Sequence, residues 1–231
     1  MYYLKKTLKR WIKSNLGLRT YPHRYDQLLE EIDTLRPKTI LEIGTNDGIN
    51  AARMCKRASR YRNDVVYFGF DMFELLTNAT FLTEFSLMAP SRKKVDKFLR
   101  QNGCIRPHLF AGNTIETLKA KKAQLPKMDL VFIDGGHSQE TVASDWINVQ
   151  GLLHAGSVVV FDDYPNWGIG PVVDIIDREK WDVKIMPIED VFSVNRRFVS
   201  ESSSEKMGFQ FARVQPRAMD PLEQTPALLP T

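Results

Sequence analysis

The sequence predicts an α/β protein: a doubly wound, mostly parallel sheet with an antiparallel last strand, preceded by an N-terminal helical extension. Three observations predict it. From residue 39 to residue 188 short apolar runs alternate with helix-length amphipathic segments, the pattern of a parallel sheet covered on both faces. The last two strand-like runs, 181–188 and 208–214, are separated by the polar stretch "EDVFSVNRRFVSESSSEKM", which suits an antiparallel closing strand. Leu4, Leu8, Trp11, Ile12 and Leu16 fall at helical spacing with lysines on the other face, so residues 4–16 form a basic amphipathic helix.

The elements follow in order. A second helix, within "YPHRYDQLLEEIDTLRPK", ends at Pro37, which cannot continue it. Strands are predicted at 39–44, 65–71, 108–113, 128–134 and 156–163, each a compact apolar run. Helices are predicted between them at 50–61, 93–103, 114–125 and 138–153, and after them at 172–180. Residues 72–92 are too long for a plain connection and read as a lid or binding segment. No internal repeat is present. The organisation is a helical extension over 1–36, one domain over 37–215, and a Pro-rich tail over 216–231 that is extended or disordered.

At 231 residues and 43% hydrophobic the chain can bury a full core, which excludes wholesale disorder. No apolar run approaches the ~20 residues of a membrane span. The basic start lacks an apolar core and a cleavage site, so no secretory signal is read and a cytoplasmic location is expected. Cys55 and Cys104 form neither a disulfide framework nor a CxxC metal knuckle, in keeping with a reducing compartment. The net charge of +4 is mild. Basic clusters at Lys5–Lys13, Arg92–Lys94 and Lys119–Lys122 read first as solvated helix faces. The helix 4–16 suits a membrane surface; packing on its own domain, or on a partner subunit of a homo-oligomer, is the commoner arrangement. No nucleic-acid partner is expected, because no RNA module and no aromatic–basic interleaving are present.

In open α/β sheets ligands bind beyond the carboxyl ends of the strands, so the residues just after each strand carry the functional reading. The first strand ends in "LEIGTNDG", which supplies Glu42, Gly44, Asp47 and Gly48. Its glycines allow a tight turn and close ligand approach at a helix start. The spacing is not Gly-x-Gly-x-x-Gly, which disfavours a nicotinamide dehydrogenase. The second strand ends in Asp71, placed to accept from both hydroxyls of a ribose or to cap the next segment. The third ends in Asn113, which suits an adenine edge or a helix cap. The fourth ends in Asp134 within "FIDGGHSQETVASDW", and the fifth in Asp162, Asp163 and Tyr164.

The order "LEIGTNDG … GFD … AGN … FIDGGHSQETVASDW … GSVVVFDDY" resembles the class I S-adenosylmethionine-dependent methyltransferases. More narrowly it is similar to the small-molecule O-methyltransferase branch of the macrocin and cephalosporin pathways, over roughly residues 36–190. The resemblance implies a Rossmann-like seven-stranded sheet with a reversed last strand and S-adenosylmethionine over the first two strand ends. It implies that Glu42, Gly44 and Gly48 line the methionine part, Asp71 the ribose and Asn113 the adenine; Asp47 and Asp134 are also read as cofactor-binding. The acceptor is then a hydroxylated small molecule, such as a sugar or natural product. One departure is Gly136, where the family often has an acidic residue.

Asp134, Asp162 and Asp163 end neighbouring strands, which lie about 4.8 Å apart. Three carboxylates converging there call for a cation, and hard oxygen ligands favour Mg²⁺, with Mn²⁺ or Ca²⁺ as alternatives. The resemblance implies the same metal ligands. Capping of a turn by Asp162 or Asp163, with Asp134 touching only the cofactor, accounts for the same residues. A divalent cation would lower the pKa of an acceptor hydroxyl. His137 suits a general base, and equally a turn histidine or a substrate-orienting group. Gly135 and Gly136 would let the chain turn so that Asp134 and His137 face one cavity. Glu140 and Asp145 are expected to face solvent from their helix. Trp167 is read as substrate wall or as a core or lid aromatic. Three other readings stay open: a metal-independent methyltransferase with His137 alone as base, a non-catalytic protein that uses its basic N-terminal helix to bind membrane or nucleic acid, and, ranked low, an RNA methyltransferase suggested by the basic patches.

Overall fold

The computed structural model describes residues 24–84, 89–187, 190–195 and 204–217. The predicted helix 4–16 and most of the tail after residue 216 lie outside the described residues.

Eight strands are described: β1 (Thr39–Ile43), β2 (Val66–Asp71), β3 (Pro107–Ala111), β4 (Met128–Ile133), β5 (Leu153–Tyr164), β6 (Trp181–Ile185), β7 (Asp190–Asn195) and β8 (Ser204–Pro216). The helices are α1 (Tyr25–Leu35), α2 (Ile49–Ala58), α3 (Asn78–Thr83), α4 (Arg92–Gln101), α5 (Thr114–Lys121), α6 (Gln139–Gln150) and α7 (Ile169–Asp174). Seven strands lie in the order β3-β2-β1-β4-β5-β8-β6. The first five are parallel to their neighbours. β8 runs antiparallel between β5 and β6. This is the Rossmann-like methyltransferase fold, with the reversed strand where it was expected.

Side-chain alternation along the buried strands splits the core into two layers. On one face Leu41, Ile43, Phe70, Val131 and Phe161 pack against Val142, Trp146 and Val149 of α6 and Val172 and Val173 of α7. On the other Ile40, Tyr67, Leu130, Phe132 and Phe211 pack against α1, α2 and α4. α1 belongs to this second layer through Tyr25, Leu28 and Ile32, all buried. The sequence-drawn boundary at 36/37 therefore separates α1 from a core that it shares. Cys55 and Cys104 are both free and buried.

Four expectations are corrected. The segment 189–207 contains β7, which pairs antiparallel with the first half of β8 from Asp190↔Phe209 to Asn195↔Ser204. Within the long 72–92 connection Phe73–Leu75 form one 3₁₀ turn and Asn78–Thr83 form α3. The helix predicted over 172–180 instead spans Ile169–Asp174, because Gly168 rather than Pro171 opens it. Asp145 does not face solvent: it is fully buried on the stripe of Val142, Trp146 and Val149. Glu140 is exposed as expected.

Burial pushes the Asp145 carboxyl up to about 7, against a contact with the Thr114 side chain that lowers it. A carboxyl with its folded pKa raised adds stability below its unfolded value, near 4, and loses it as pH rises through 7. Asp145→Asn removes the charge at similar volume. It is expected to stabilise the fold by about 1–3 kcal/mol at pH 8 and much less at pH 5. Denaturant titrations at the two pH values check this; an equal change at both would show that the charge is not the cause.

Candidate active site

The parallel strands place their carboxyl ends along one rim, and a cleft of about 730 Å³, solvent at its mouth included, opens there. Gly44, Asn46, Asp71, Asn113 and His137 line it, with Gly135 and Gly136 between β4 and α6. Leu76, Thr80 and Glu84 of the 72–92 segment form its outer wall, in line with the lid expected there.

Gly44 lets the chain turn at φ +93°, and a Cβ there would lie 1.9 Å from the Asp134 carbonyl oxygen. The two loops are locked together, since Asp134 N donates to Ile43 O at 2.8 Å and Gly44 N to Phe70 O at 2.8 Å. Asp71 accepts from Asn46 N at 2.7 Å and from Phe73 N at 2.6 Å. Burial still holds its carboxyl above the ordinary range. Asn113 turns its Oδ1 to Ile115 N at 3.0 Å, which caps α5 and leaves its amide NH₂ on the cleft side.

Four of the residues expected around a cofactor, Glu42, Asp47, Gly48 and Asp134, are not among those that line this cleft. Glu42 is buried on the α2 side of the sheet, bonded to the Tyr67 hydroxyl, and burial raises its pKa to about 8. Gly48 packs under Val95 and Leu99 of α4. Asp47 accepts from Ile49 N at 3.1 Å, at the start of α2.

Gly135 and Gly136 do not adopt the left-handed backbone that a forced turn would need. Their role is space. A Cβ at Gly135 would meet Ile43 Cγ2 at 2.8 Å, and one at Gly136 would meet Glu84 Oε2 at 2.6 Å. An acidic side chain at 136 would thus collide with Glu84. Glu84 accepts from Ser138 N at 2.9 Å, from Ser138 Oγ at 2.8 Å and from Thr141 Oγ1 at 2.9 Å, tying the lid to the first turn of α6. A carboxylate at a helix N-terminus is well placed electrostatically.

His137 lies at the cleft wall with both ring nitrogens engaged. Nδ1 is 2.8 Å from Glu84 O, which can only accept, so Nδ1 carries the proton. Nε2 is 2.9 Å from Asp163 Oδ2. Burial alone would lower the pKa of His137, but the hydrogen bond and charge of Asp163 outweigh it and the pKa stands above 6.5. Trp167 meets the His137 ring edge-on, with centroids 4.6 Å apart, and packs on Phe209. It does not line the cleft.

Asp134, Asp162 and Asp163 converge as the strand spacing requires, but the cation among them belongs to the chain. Arg24 Nε donates to Asp162 Oδ1 at 2.6 Å, and Nη2 donates to Asp162 Oδ2 and to Asp163 Oδ1, each at 3.1 Å. The Tyr25 hydroxyl lies 2.8 Å from Asp162 Oδ2 and 3.1 Å from Asp134 Oδ2. Burial and the charges of Asp162 and Asp163 push the Asp134 carboxyl well up. Among the described residues no group of three or more His, Cys, Asp or Glu side chains is disposed to hold a metal ion. The expected Mg²⁺ site is not shown: five of the six carboxylate oxygens, all but Asp134 Oδ1, are engaged by Arg24, Tyr25 or His137. Sequence reasoning missed Arg24, Tyr25, Asn46 and Glu84. No local pattern marks them, because their partners lie up to 139 positions away.

No helix among the described residues is long and apolar enough to cross a membrane. No curated protein matches the chain by sequence. Solved structures show the fold. A protein of Klebsiella pneumoniae provisionally described as an O-methyltransferase superposes with a TM-score of 0.61 at 15% identity, over 93% of this chain and 90% of that one. An O-methyltransferase of Bacillus cereus, solved with SAH, gives 0.58 at 14% identity over 91% and 90%. An rRNA methylase of Streptococcus thermophilus gives 0.52 at 9% identity over 81% and 94%. The family model described as "Methyltransferase domain" matches residues 41–164, from β1 through the end of β5. That span holds every cleft residue named above, Gly44, Asp71, Asn113 and His137 among them, and by that match the chain belongs to the methyltransferase domain family.

Proposed function

We propose that the chain is an S-adenosylmethionine-dependent O-methyltransferase acting on a hydroxyl of a small molecule, such as a sugar or natural product. One observation carries this reading: a single cleft at the carboxyl ends of the strands brings Gly44, Asp71, Asn113 and His137 together in a methyltransferase domain. When bound, the cofactor supplies a methyl group on a sulfonium, open to in-line displacement by an oxygen.

The residues fit such a cofactor. Asp71 keeps lone pairs for the two ribose hydroxyls, since a carboxylate offers about four acceptor sites and two are used. Asn113 offers its NH₂ to an adenine ring nitrogen. Asn46 Oδ1, buried at the cleft wall with no partner among the described residues, is an acceptor waiting for a donor. The Glu84 tie holds the 72–92 segment over the cleft. That enclosure favours a small acceptor over a nucleic-acid duplex.

Methylation of an alcohol releases one proton; His137 lines the cleft, and its Nε2 takes that proton once the ring turns away from Asp163. Its Nε2 offers a lone pair only when the His137–Asp163 pair has lost a proton. Turnover is therefore expected to rise with pH through a value above 6.5, rather than at or below it. His137→Gln is expected to lower kcat by about 10²–10⁴-fold with little change in cofactor affinity. The test is a panel of hydroxylated acceptors incubated with S-adenosylmethionine, followed by mass spectrometry for the methylated product. A methyl group found on nitrogen, on RNA or on nothing at all would refute the O-methyl reading.

A further inference from the structure

We infer that Arg24, with Tyr25, is a built-in substitute for a divalent cation at the Asp134–Asp162–Asp163 cluster, so that this cluster excludes metal and positions His137 without one. The guanidinium meets Asp162 with the two-pronged fork that matches a carboxylate, and its Nη2 reaches on to Asp163 Oδ1. Asp163 in turn turns Oδ2 to His137 Nε2. Arg24 is thus a positioning residue: it holds the carboxylate that holds the ring at the cleft.

The arrangement is built into the core. The Arg24 and Asp162 side chains are 7% and 1% exposed. The guanidinium stacks over the rings of Tyr25 and Phe209, at 5.0 and 5.4 Å. The Tyr25 ring meets Phe132 and Phe211 edge-on. An octahedral ion needs oxygens at about 2.0–2.1 Å. To bind here it would have to expel a buried guanidinium from its fork and strip the Tyr25 hydroxyl from Asp162. Helix α1 brings both residues, so the cation arrives with the fold.

Titration of Mn²⁺ followed by electron paramagnetic resonance tests this directly, and its outcome does not depend on the O-methyltransferase reading; only the expected indifference of activity to a chelator rests on that. Wild type is expected to show no saturable Mn²⁺ at the cluster. Arg24→Ser removes a positive charge from hydrogen-bond range of two carboxylates, Asp162 and Asp163, so it is expected to bind Mn²⁺ at least about 100-fold more tightly. The gain should vanish in Arg24→Ser/Asp162→Asn. Arg24→Lys, which keeps the charge without the fork, should stay metal-free. Should Arg24→Ser not fold, Arg24→Gln carries the same comparison. Saturable binding to wild type that disappears in Asp162→Asn overturns the inference. So does a folded Arg24→Ser that gains no site, because the guanidinium would then not be what keeps metal out.

Discussion

Asp71→Ala is expected to bind S-adenosylmethionine at least about 100-fold more weakly than wild type, since two hydrogen bonds to a charged acceptor are worth about 1.5–3 kcal/mol each. The loss has two sources. Asp71 is the acceptor proposed for the ribose, and it also holds Asn46 N and Phe73 N, so it fixes the loop after β1 and the entry to the lid together. Asp71→Asn should rescue little. Whichever way the amide turns, its NH₂ faces a backbone N–H that also donates. Isothermal titration of the three proteins is the check. A Kd for Asp71→Ala within about threefold of wild type would remove the ribose assignment and, with it, the placement of the cofactor in this cleft.

Gly44→Ala is expected to cost at least about 4 kcal/mol of stability, among the largest effects of any single methyl group in this fold. The new Cβ would sit 1.9 Å from the Asp134 carbonyl oxygen in a backbone region that side chains rarely adopt. Asp134 cannot draw back, because its own N–H is bonded to Ile43 O. For a chain of this size the melting temperature should fall by roughly 10 °C or more, or the protein should fail to accumulate. Gly48→Ala is the control. It also sits at positive φ, but its Cβ meets only the side chains of Val95 and Leu99, at 3.0 and 3.2 Å, and these can give. Its cost is expected near 1–2 kcal/mol. Equal melting temperatures for the two variants would mean that the Gly44–Asp134 contact is not the constraint it looks to be.

The central strands β1, β2 and β4 were legible in the sequence because each is buried on both faces and so reads as an apolar run. Asp71 and His137 were legible because strand ends in a parallel sheet are where a ligand site must lie. β7 was not, since it pairs only along the first half of β8 and its short run, DVFSVN, sits inside a mostly polar stretch. Asp145 was misplaced although a signal existed: it stands three residues after Val142 and four before Val149, squarely on the buried stripe of α6. Arg24 and Tyr25 left no such trace. A long-range ion pair has no period, and three aspartates at strand ends ask for a cation without saying whose. The carboxylate cluster itself was read correctly, and only its counter-charge required the tertiary fold.

The place of β8 has a consequence for how the chain is made. It is the last strand in sequence but an inner one in space, with Val159 of β5 and Val183 of β6 on either side of Val214. During synthesis β1 to β5 can pair in order as they emerge. β6 finds no neighbour until β8 arrives, and until then β5 presents an open, apolar edge of the kind that invites pairing with another chain. Loop closure from residue 164 to residue 210 must come before that edge is covered. A nascent chain stalled after β6 is therefore the form in which this protein most needs a chaperone.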